Sequence, residues 1–61
     1  MVFDNIKRLA EEQGKSINSI EKACGLSTGS VYKWNDVSPT AKSLKAVADY
    51  LGVSMEYLLK E

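Results

Sequence analysis

Ser27-Thr-Gly-Ser-Val-Tyr-Lys33 places four hydroxyl side chains and one lysine within seven residues. These groups donate and accept hydrogen bonds, and a lysine adds a mobile positive charge, so the chemistry on offer is recognition of anionic or polar edges. Covalent catalysis is not on offer, because the chain has no histidine and a single cysteine, Cys24. A lone thiol without a base to activate it reads as a small core residue. Gly14-Lys15-Ser16 imitates the end of a phosphate-binding P-loop, but the first glycine of that motif would fall at Leu9 and no strand precedes it. Nucleotide binding is therefore not expected, nor is a cofactor, a metal or a small-molecule substrate. The scattered carboxylates lack a core large enough to desolvate them for acid–base work, which argues against an enzyme.

The elements that must carry the hydroxyl cluster are helices. Apolar residues keep helical spacing at Phe3, Ile6, Leu9 and Ala10, at Ile17, Ile20 and Cys24, and at Leu44, Val47, Ala48 and Leu51. No run alternates with the period of a strand. Three Gly-x-Ser triplets punctuate these segments, at Gly14, Gly25 and Gly52. In each, glycine can close one helix in the left-handed conformation and serine can cap the next. The spacing predicts helices over 2–13, 17–24, 28–34, 41–51 and 55–60, with an irregular loop over 35–40 around Pro39. The expected architecture is all-α, five helices in one domain spanning 1–61, since a chain of 61 residues has room for one core only.

Composition narrows the class further. The chain is 44% hydrophobic and 26% charged, ordinary values for a globular protein. The N-terminal stretch carries acids where a signal peptide would be apolar, no run approaches the roughly 20 apolar residues of a membrane span, and one cysteine allows no internal disulfide. A cytoplasmic setting without membrane contact is expected. The formal net charge of zero hides a segregation: from Lys15 to Lys45, five lysines face two carboxylates, a surplus of +3, while the flanks carry the matching deficit.

The segments 17–24 and 28–34 are separated by Gly25, Leu26 and Ser27 alone, a turn too short for antiparallel packing, so they must cross steeply. Ile20, Cys24, Leu26, Val31 and Trp34 are the apolar contacts such a corner needs, which leaves Thr28, Gly29, Tyr32 and Lys33 facing outward. With Gly25 in the turn and the tail Ser43–Leu59, SLKAVADYLGVSMEYLL, the chain resembles the Cro and lambda-repressor-like (XRE) helix-turn-helix DNA-binding domains over nearly its whole length. The resemblance implies a sequence-specific transcriptional regulator, a repressor above all, with helix 28–34 in the major groove of double-stranded DNA and a homodimer reading half-sites about 34 Å apart. It depicts Lys33 as a base or phosphate contact, and Thr28 as a contact to a base edge or thymine methyl that can also cap the helix beside Ser27. Ser30 can bond a phosphate or remain a surface residue, and Tyr32 can reach a sugar, a base methyl or a phosphate, or simply cover the domain surface. Gly29 permits close approach of the backbone to DNA, or else sits where the first turn is only weakly helical. Lys15 and Lys42 flank the interface as candidate phosphate contacts, or else are solvated surface lysines.

Two positions depart from the family pattern. Ile17 replaces a glutamine that usually binds a phosphate, leaving Ser16, Asn18 or backbone amides to do so. Glu21 replaces an alanine at the helix crossing, where a carboxylate is tolerable if it faces the positive end of a helix or accepts hydrogen bonds, and costly if buried unpaired. In the last segment Met55, Tyr57, Leu58 and Leu59 exceed the apolar needs of a short helix; either some of them face a dimer partner or most of them close the core. The zero net charge, Ile17 and the single lysine in 28–34 also fit a rival function, a helix-turn-helix module that docks a protein such as a toxin or anti-repressor.

Overall fold

The computed structural model describes residues 1–60 and consists of helices and turns, with no strand among them. Helix α1 spans Val2–Glu12, α2 Ile17–Ala23, α3 Ala41–Leu51 and α4 Met55–Leu59. Between α2 and α3 lies a single 3₁₀ turn, Val31–Lys33. The all-α expectation therefore holds, but the expected five helices are four. The third one, over 28–34, fails at Gly29, whose φ of +88° lies in the left-handed region that right-handed helix cannot continue through. Thr28 and Gly29 instead form a turn closed by the Ser30 amide donating to the Ser27 carbonyl at 3.1 Å.

The glycine punctuation closes three helices in one way. After α2, the Gly25 amide donates to the Lys22 carbonyl (3.3 Å) and the Leu26 amide to the Glu21 carbonyl (2.8 Å), the paired bonds of a Schellman end. The ends of α1 and α3 repeat this pattern with Gly14 and Lys15, and with Gly52 and Val53. Two of the three serines then cap as expected: Ser16 Oγ accepts the Ser19 amide at 3.0 Å and Ser54 Oγ accepts the Tyr57 amide at 3.1 Å. Ser27 does not, because no helix follows it. Thr40, after the proline, caps α3 through the Ser43 amide at 3.2 Å.

The core is formed by Ile6, Leu9 and Ala10 of α1, Ile17 and Ile20 of α2, Val31 and Trp34, Leu44, Val47, Ala48 and Leu51 of α3, and Leu58 of α4. Each large aliphatic side chain buried here contributes about 1.5–3 kcal/mol relative to an exposed one. Cys24 is half-buried against this core, less enclosed than its spacing suggested, and Leu26 packs beside it to pin the turn.

Polar side chains of α1 tie the other elements to it. Asn5, buried, donates through Nδ2 to the carbonyls of Leu58 (3.0 Å) and Lys60 (2.6 Å), and so satisfies orphan acceptors at the end of α4. Gln13 Nε2 does the same for Leu51 at the end of α3 (2.9 Å). Arg8 donates to the Tyr57 hydroxyl at 2.9 Å. Among the described residues, no helix is long and apolar enough to cross a membrane.

Candidate nucleic-acid interface

The corner segment is built outward from two anchors. Val31 is fully buried and Trp34 is 8% exposed, so both ends of the 3₁₀ turn are held in the core as the spacing required. Ser27, Thr28, Tyr32 and Lys33 are exposed, whereas Gly29 and Ser30 are half-buried. The outward group therefore stands as expected, except that Gly29 turns its amide inward.

That amide donates to Glu21. Both carboxylate oxygens of Glu21 lie within hydrogen-bond distance of the Gly29 nitrogen, at 3.0 and 3.1 Å, and Oε2 also accepts the Val31 amide at 3.1 Å. Glu21 is 1% exposed, and no buried side-chain polar atom among the described residues lacks a partner. The only ion pair there is Lys45 with Asp49, at 3.3 Å on the surface of α3, so backbone amides alone hold the Glu21 carboxylate. Amide donors to an ionised acceptor make charge-assisted bonds, about twice as strong as neutral ones, and they offset the cost of burying the charge. Of the outcomes open for this residue, the structure takes hydrogen bonding. Glu21 acts as the cap that Ser27 fails to provide.

Ser30 has its hydroxyl committed inside the turn, donating to the Ser27 carbonyl at 2.8 Å, which leaves only its lone pairs for another partner. Tyr32 stacks on Phe3 of α1, with ring centroids 5.0 Å apart and planes tilted by 40°, and keeps 58% of its surface exposed. Lys33 projects from the end of the 3₁₀ turn with its side chain in solvent. Ser16 and Asn18 are both exposed but sit at the far end of α2 from the corner, about 10 Å away along its axis. Ser16 holds the helix start, as its Oγ and carbonyl accept from Ser19, and it keeps its hydroxyl proton to donate. Lys42 is exposed in the first turn of α3. Lys15 is not a free flank: its Nζ lies 4.3 Å from the Tyr50 ring centroid and donates to Gln13 Oε1 at 3.0 Å. Ile17 is buried in the core and offers nothing to a phosphate.

The expected dimer contact is corrected at Leu58, which is fully buried and belongs to the core. Met55 and Tyr57 are half-buried against the same core, and Leu59 alone of the four is largely exposed, at 55%. Partial burial pushes the Cys24 thiol up from its ordinary value, away from the nucleophilic thiolate form. Among the described residues, no group of histidine, cysteine or carboxylate side chains could hold a metal ion.

Sequence reasoning missed Asn35, whose side chain reaches the start of α1, and Phe3 as the support of Tyr32. Neither pairing has a local signature, since the partners are some thirty residues apart. A helix that turns sharply at Gly25 into a short segment ending in a 3₁₀ turn and presenting hydroxyls and a lysine is the arrangement of a helix-turn-helix domain. The model of the family described as Helix-turn-helix matches residues 6–58, and the chain belongs to that family, the XRE and lambda-repressor-like group of DNA-binding domains. No individually curated protein matches the chain.

Proposed function

We propose that this domain binds double-stranded DNA sequence-specifically as a transcriptional repressor, with residues 28–33 entering the major groove. The observation that carries the reading is the exposure of Thr28, Tyr32 and Lys33 on the outer side of a corner whose inner side is fixed by Val31, Trp34 and Glu21. Such a segment can meet base edges without rearranging the core. Ser27, Gly29 and Ser30 line the same turn, while Ser16, Asn18 and Lys42, at the starts of α2 and α3, supply phosphate contacts. One short segment makes few base contacts, so the domain acts as a homodimer on two half-sites, and Leu59 with its half-buried neighbours Met55 and Tyr57 offers the apolar surface.

Titration of random duplex DNA at low and moderate salt tests this reading. Affinity should fall steeply as salt rises, with a slope near −0.9 for each phosphate neutralised. Negligible binding at low salt sinks it and favours the rival, docking of a partner protein. Two observations support that rival: zero net charge, and an exposed Tyr32 ring, backed by the half-buried Phe3, beside only one lysine in the corner segment.

A further inference from the structure

A segment of this length does not hold its own shape. Isolated helices shorter than about 12–15 residues are marginal in water, and here only the three residues Val31–Lys33 are helical at all. The two successive residues Gly29, left-handed, and Ser30, at φ −65° and ψ −38°, turn neighbouring amides toward one point and form a concave anion cradle. In other proteins such cradles receive phosphates. Here the occupant is internal, since the Glu21 carboxylate fills it with bonds to the Gly29 and Val31 amides.

We infer that Glu21 is the positioning residue of the DNA-reading segment: by filling the amide cradle of Gly29 and Val31 it fixes the direction in which Thr28, Tyr32 and Lys33 leave the domain. Sequence preference then depends on a side chain that is 1% exposed and touches no DNA. The inference rests on the DNA-binding reading above and assigns that reading's specificity to a residue outside the contact surface. The physical ground is the sparseness of alternatives. Beyond Leu26, whose amide still bonds the Glu21 carbonyl, the turn over 27–30 has one amide-to-carbonyl bond of its own, from Ser30 to Ser27, which closes it locally but does not tie it to α2. Glu21 is the link from α2 to that turn.

The test uses the whole chain as wild type, E21Q and E21A, with the duplex that the wild type selects from a random pool and a scrambled duplex as control. In E21A the preference for the selected duplex should drop at least tenfold, while affinity for the scrambled one changes less than twofold. E21Q, which keeps one acceptor oxygen, should lose less. In proton–nitrogen correlation spectra of the free proteins, the Gly29 and Val31 amide resonances should move and exchange faster, and those of α1 and α3 should stay. A variant that keeps its preference overturns the inference, and so does one that loses preference with both amides unmoved. If E21A does not fold, E21Q decides on the same two readouts. If the wild type prefers no duplex, the DNA-binding reading fails by itself, and the amide resonances alone then judge Glu21: unmoved in both variants, they overturn its positioning role.

Discussion

The side-chain oxygen of Asn35 accepts the Phe3 amide at 3.0 Å, joining the residue after Trp34 to the first turn of α1 across 32 positions. The same side chain donates through Nδ2 to Asp4 Oδ1 at 3.1 Å. Met1, at the N-cap position, makes no side-chain cap, so Asn35 does for α1 what a serine does for α2 and α4. Because Phe3 also carries Tyr32, the cap and the stacking pair act on one residue.

Replacing that cap should be measurable. Asn35→Ala is expected to cost about 0.5–2 kcal/mol, the usual value of an N-cap, read as a shift of the urea midpoint with an unchanged slope. Asn35→Asp keeps the acceptor but sets a second carboxylate beside Asp4, and it should recover only part of the loss.

Trp34→Ala removes the large side chain that anchors the end of the 3₁₀ turn. A cavity of that size costs on the order of 3–5 kcal/mol, a large share of the total for a domain this small, so the far-ultraviolet signal should melt at much lower temperature. Retention of the wild-type melting temperature would mean that the indole is not part of the core.

Lys33→Ala and Thr28→Ala should behave in the opposite manner. Both residues are exposed, so stability should change by no more than about 0.5 kcal/mol. Operator affinity should fall in each. If Lys33 meets a phosphate, its loss also flattens the salt dependence by about one unit of slope and weakens all sequences alike; a base contact instead relaxes preference at one position.

Gly29→Ala tests the backbone. A Cβ there would meet nothing within 4 Å, so no clash contributes, and the cost comes from holding alanine at φ +88°. About 1–2 kcal/mol is expected. In a double-mutant cycle with Glu21→Ala the two losses should sum to more than the double variant shows, because each disturbs the same amide cradle.

Most of the fold was legible because its signals are local. Gly25 and Ser16 announce their roles by type and place, and the spacing of Leu44, Val47, Ala48 and Leu51 gives α3 without reference to anything else. The error at 28–34 has the same origin. Val31 and Trp34 keep helical spacing whether three residues or seven are helical, so periodicity alone cannot set the length of the element. By type and place Gly29 fits a weakly helical first turn, while its left-handed conformation makes it the break. The exposure of Thr28, Tyr32 and Lys33 follows from the inward placement of Val31 and Trp34, and that part was accessible. What Glu21 does was not, because a carboxylate that accepts amides eight and ten residues ahead depends on the sharpness of the corner, which exists only in the folded chain. Leu58 joins the core and not a dimer contact, which the sequence leaves open for a related reason: a terminal helix of five residues shows too little pattern to separate its inner face from its outer one.

The bonds from Asn5 to the carbonyls of Leu58 and Lys60 join positions 53 and 55 apart in sequence. During synthesis, α1 emerges from the ribosome long before α4, and until then Asn5 has neither of these carbonyls to meet. The α1–α4 contact closes only once residues 58–60 have cleared the exit tunnel, so a shortened chain lacking them leaves Asn5 without these two acceptors and the core without Leu58.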